Sequence, residues 1–170
     1  MPIALLILAN ILFWLVVQLG AAAVGTRLAP KRFNPRNPGF RERSWERGGR
    51  LYERVFRVRV WKDLLPDGAA WFRGGFPKAT LRQADPAYVE RFIRETCRGE
   101  AVHWAVVLCG PLSLLWNPPW AGGVMLFYGL AANLPCILIQ RYNRLRLRRV
   151  RIRKRRSACK PRCQTTSNFA

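Results

Sequence analysis

Charge is missing from two long stretches of this 170-residue chain. Residues 3–25 (IALLILANILFWLVVQLGAAAVG) carry none, and residues 101–140 carry none apart from a proton on His103. An uncharged run of about 20 residues matches the roughly 30 Å hydrocarbon thickness of a bilayer. A soluble helix interleaves charged and apolar positions instead. The two gaps exclude a soluble globular domain and predict an all-α integral membrane protein. Imidazole is nearly absent as well, since His103 is the one histidine. That excludes a di-iron bundle, in which Glu-x-x-His must occur twice; no metal site and no bound cofactor are expected. The five cysteines say little. Cys109 and Cys136 lie within the apolar runs, Cys97 lies at a border, and Cys159 and Cys163 (CKPRC) lack the spacing and partner His of a zinc site.

Basic residues are missing from the start of the chain: none precedes Arg27. The AAA at 21–23 resembles a signal-peptide cleavage site, but a signal peptide has a positive start and a shorter apolar core. Residues 1–25 are therefore read as a first transmembrane helix. The second apolar region divides at Asn117-Pro118-Pro119-Trp120, which no helix continues through. The expected architecture is three transmembrane helices, the second and third forming a tight hairpin over 101–140; a shallow re-entrant pair is the alternative. Acidic residues number nine against thirty Lys and Arg, for a net charge of +21. The excess falls in a loop, 26–100, and a tail, 141–170. Basic flanks stay on the cytoplasmic side. This predicts a multi-pass cell-membrane protein with its N-terminus outside and its loop and C-terminus cytoplasmic, the tail disordered at its end.

Polar residues inside the spans form stripes. Asn10, Trp14 and Gln18 recur every four residues, and Asn133 and Gln140 are seven apart. Amides in hydrocarbon must find partners, so both stripes face neighbouring helices, as glue or as a pocket for a polar head group. In the loop, VFRVRVWK (55–62) alternates apolar and basic residues like a short strand or an interfacial ribbon. PDG (66–68) and RGGFP (73–77) read as turns. Asp85 and Pro86 open an amphipathic helix over about 86–98 as cap and first position. Val89, Ile93, Thr96, Glu100 and His103 then form one helical stripe. Glu100 and His103 are one turn apart at the membrane boundary. There a carboxylate can hold one imidazole nitrogen and leave the other as a base, or the pair can be merely structural.

Four blocks in order resemble the glycosyl-4,4'-diaponeurosporenoate acyltransferase family of carotenoid biosynthesis. They are WLVVQL with GTR (14–19, 25–27), VRVWKDLLPDG (58–68), ETCRGEAVHW (95–104) and FYGLAANLPCILIQRYNRLRL (127–147). The resemblance implies a membrane enzyme placing a fatty acyl chain on a sugar hydroxyl of a glycosylated carotenoid acid. The Arg-rich tail departs from the family pattern and leaves room for another glycosyl carotenoid or a glycolipid as acceptor. No Asp stands five residues after His103, so the His-x4-Asp arrangement of many soluble-face acyltransferases is missing.

A sugar hydroxyl needs a base, and His103 is the candidate, with Glu100 fixing its tautomer. Arg98, Arg59, Lys62, Arg141 and Arg144 are candidates for holding the phosphates of an acyl-CoA or the arm of an acyl-carrier protein, or for anchoring lipid headgroups. Asn133, Gln140 and Tyr142 are candidates for binding sugar hydroxyls, and the Cys97 thiol is a weaker candidate acyl carrier. The expected partners are membrane lipid, the glycosylated acceptor and the acyl thioester donor. A membrane scaffold binding a pathway partner or anionic lipid through the basic loop and tail is the non-enzymatic alternative. Sequence-specific nucleic-acid binding is not expected, because only Tyr142 within 141–156 could stack on a base.

Overall fold

The computed structural model describes residues 2–65 and 86–158, with side chains through Ile152. The turns at 66–68 and 73–77, the Asp85 cap and the end of the tail, including Cys159 and Cys163, lie outside the described residues. All regular structure among the described residues is helical. Two helices are long and apolar enough to cross a bilayer: α1 (Ile3–Arg27) and the Pro119–Ile152 part of α5 (Pro119–Ala158). Their outward side chains are large and apolar. Val16 is 70% and Phe127 72% exposed, a surface that suits lipid and not water.

Between them runs α4 (Pro86–Cys109), which packs along α5 on one side and α1 on the other. The helix expected over about 86–98 thus continues unbroken past Gly99 into the second apolar run. It stops at Cys109 because Pro111 has no N–H to continue the ladder. A 3-10 segment, Gly110–Leu115, carries the chain to the turn at Asn117 and Pro118, and α5 begins at Pro119. A proline is well placed at a first helical position, where its missing N–H has no intrahelical partner to lose.

The alternation at 55–62 does not produce a strand. Arg57 adopts a left-handed backbone (φ 48°), which ends the extended register, and the chain forms α2 (Arg50–Arg54) and α3 (Val58–Trp61). Val58 turns inward against Tyr52, Tyr142 and Leu145, while Val60 is left 77% exposed.

Small residues permit the closest helix approaches. A Cβ on Gly129 would lie 2.3 Å from the Trp14 ring, and one on Gly25 would lie 2.3 Å from a Val102 methyl. The amide stripe of α1 is glue, at least at Asn10. Asn10 and Asn117 donate to each other's side-chain oxygens, both at 2.8 Å, and Trp116 Nε1 donates to Asn10 Oδ1 at 3.1 Å. This cluster ties α1 to the turn between α4 and α5.

Candidate active site

His103 sits half-buried on the side of α4 that faces α5. Its Nδ1 is 2.9 Å from Asn133 Oδ1, and the Asn133 amide nitrogen donates to the Gly129 carbonyl at 2.8 Å. The second bond fixes the amide's orientation, because only its NH2 end can donate to a carbonyl. Oδ1 therefore faces the imidazole, Nδ1 carries the hydrogen, and in the neutral ring Nε2 holds the basic lone pair. Asn133 is fully enclosed, so the arrangement is set within the helix pair.

Glu100 has other partners than the sequence reading gave it. Spacing alone puts it one turn from His103 on one stripe, but two guanidinium groups from α5 claim its carboxylate. Arg141 Nη1 donates to Oε1 at 3.0 Å, and Arg144 pairs with Oε2. The imidazole is oriented by Asn133 instead. Glu100 is 2% and Arg144 0% exposed, so this is a buried ionic cluster. Arg141 spends its whole donor fork there. Nε and Nη2 bond Glu46, and the two terminal nitrogens reach the Gly39 and Arg41 carbonyls at 3.0 and 3.1 Å. In this way α5 holds the 39–46 loop segment against the bundle, and Phe40 lies over the Arg144 guanidinium at 5.6 Å.

Glu46 is fully enclosed. Burial works against its charged form, but hydrogen bonds from Arg141, the Arg43 amide and Tyr52 outweigh it and hold the carboxyl below its usual value of 4.5. A depressed carboxyl stabilises the fold above its unfolded pKa and loses that contribution as pH falls through the folded value. The difference in melting temperature between wild type and Glu46→Gln in detergent should accordingly be level above about pH 4.5 and shrink as the solution is acidified below it. A difference that is constant down to pH 3 would contradict this.

The remaining predicted residues are distributed more widely. Arg98 is buried, pairs with Glu95 at 2.7 Å and donates to the Thr26 and Leu28 carbonyls, tying α4 to the end of α1. With Arg141 and Arg144 it is committed inside the protein, where a bulky phosphate donor does not reach. Among the predicted phosphate-binding residues, Arg59 is exposed and Lys62 is half-buried beside Asp63 on the α3 segment. Tyr142 is enclosed against Tyr52 and Val58, and its hydroxyl donates to Glu53 at 2.9 Å. Gln140 is half-buried, with its side-chain oxygen enclosed and accepting no hydrogen bond. Burial raises the pKa of Cys97, which disfavours the thiolate an acyl carrier requires.

Sequence reasoning missed Glu46, Tyr52 and Asn117. Glu46 and Arg141 are 95 positions apart, and no local period connects them. Asn117 was legible only as a turn residue. Among the described residues, no group of three His, Cys, Asp or Glu side chains could hold a metal ion.

No solved structure matches the chain. A family model described as glycosyl-4,4'-diaponeurosporenoate acyltransferase matches residues 36–153, which include His103, Asn133 and the Glu46–Glu100–Arg141–Arg144 cluster. Proteins of that name from Staphylococcus aureus strains RF122 / ET3-1 and MRSA252 are each 36% identical over 148 residues, covering 85% of this chain and 88% of theirs. The USA300 protein is 35% identical over the same coverage. With its own length and theirs aligned almost throughout, this chain belongs to the glycosyl-4,4'-diaponeurosporenoate acyltransferase family.

Proposed function

We propose that this acyltransferase moves a fatty acyl group from an acyl thioester onto a sugar hydroxyl of a glycosylated carotenoid acid. The observation that carries the reading is the Gly129–Asn133–His103 relay, which leaves Nε2 as the basic nitrogen at the level where the apolar helices meet the charged cluster. Nε2 takes the proton of the sugar hydroxyl as its oxygen attacks the thioester carbonyl. The tetrahedral adduct then collapses, the carbon–sulfur bond breaks, and the imidazolium returns the proton to the departing thiolate.

Arg98, Arg141 and Arg144 act in this reading as positioning residues. They fix α1, α4, α5 and the 39–46 segment around the site. Arg59 and Lys62 are the basic residues assigned to an acyl-CoA phosphate or a carrier-protein arm, which is a co-substrate and not a bound cofactor. The basic loop and α5 extension lie on the cytoplasmic side, with the N-terminus and the Asn117 turn outside. The apolar end of α4, with the 110–115 segment, completes a third crossing.

The test is direct. The full chain, reconstituted in lipid vesicles, is given a glycosylated C30 carotenoid acid and either a long-chain acyl-CoA or an acyl-carrier protein, and the products are analysed by mass spectrometry. An acylated glycoside from at least one donor is expected. Folded protein that gives no product with either donor, and only binds vesicles, would favour the scaffold.

A further inference from the structure

The outer surfaces of α1 and α5 do not close against each other along their whole length. A groove of about 440 Å³ lies between them, within the size range of small-molecule sites. Ile7, Ile11, Leu15 and Gln18 line it from α1, and Met125 and Tyr128 from α5. Trp14 forms part of its wall and is the side chain that packs on Gly129, the residue whose carbonyl holds Asn133. Asn10 also lines it, one turn from the Ile7 end, held there by its hydrogen bonds to Asn117 and Trp116. At 1.5 Å per helical residue, the stretch from Ile7 to Gln18 is roughly 16 Å long.

The groove ends a few helical residues short of the level of the base. Gly25 packs on Val102, next to His103, so Gln18 lies seven residues of α1 short of that level, and Tyr128 lies five residues of α5 short of Asn133. Helical rise makes both gaps roughly 7–10 Å. A chain whose carbonyl sits at Nε2 would cross that gap and extend along the groove toward Ile7. A flexible saturated chain of bounded length fits a groove of this length inside the hydrocarbon layer. A stiff polyene long enough to cross the bilayer does not.

We propose that the α1–α5 groove holds the methyl end of the donor's acyl chain and sets the chain length transferred. The proposal rests on acyl transfer at His103. Its test compares Leu15→Phe, Leu15→Ala and wild type with an equimolar mixture of C10 to C18 acyl donors. Leu15→Phe should raise the ratio of short-chain to C16 product about tenfold, and Leu15→Ala should move it the opposite way. The same product profile from all three proteins would overturn the ruler while leaving the acyl transfer intact. A second measurement does not need turnover. A C16 fatty acid with a photoreactive diazirine at its methyl end should label Ile7, Ile11 or Met125 in wild type, and Leu15→Phe should remove most of that label. Labelling spread evenly over the lipid-facing residues of α1 and α5 would also overturn it. Specific labelling without any acyl transfer would uphold the groove as a hydrocarbon site and sink the reaction assigned to His103.

Discussion

His103→Ala should lower acyl transfer by about 10²- to 10⁴-fold, the range contributed by a positioned general base. Its melting temperature should fall only modestly, since the half-buried ring lies outside the ionic cluster and its loss leaves the enclosed Asn133 oxygen short of one hydrogen bond. The loss belongs in kcat, since the base acts on the reacting proton and not on the rest of the substrate. Asn133→Leu keeps similar bulk but removes the acceptor that holds Nδ1–H, so it should lose activity by a smaller factor and shift the pH–rate profile. A structural histidine would leave that profile unmoved. Wild-type rates from correctly inserted His103→Ala protein would end the general-base assignment.

Glu100→Ala should have the largest effect on stability. It leaves Arg141 and Arg144 facing each other in a buried site without the carboxylate that joins them. Removing one partner from a buried ion pair costs on the order of 3–5 kcal/mol, a large share of a total stability of about 5–15 kcal/mol. Little monodisperse protein should survive extraction in detergent, and what does should melt far below wild type. Glu100→Ala combined with Arg144→Met removes the surplus charge and should recover part of the loss. Near-wild-type melting of Glu100→Ala would show that Glu46 alone can hold Arg141.

Periodicity exposed the elements whose burial follows a helix repeat. The oily runs of α1 and α5, the stop at the Asn-Pro-Pro turn and the stripe carrying Glu100 and His103 are all local patterns. The stripe placed both side chains on one face of α4 but could not say what the opposing helix would present to each. Two arginines three apart on α5 capture Glu100, and Asn133, two turns earlier on that helix, takes His103. These are contacts between distant segments, and pairing of that kind leaves no mark in spacing. The 55–62 stretch failed for a different reason. Its alternation was real, but Arg57 takes a left-handed backbone and the side chains sort inward and outward from a helical turn.

The mutual amide pair of Asn10 and Asn117 has a consequence for synthesis. The two residues are 107 positions apart, which a ribosome making about 5–20 residues per second takes roughly 5–20 s to cover. For that interval the first helix waits in the bilayer with a side chain that must borrow a partner from water, a lipid ester or the insertion machinery. The nascent chain is thus held unfinished until the last turn emerges to relieve it.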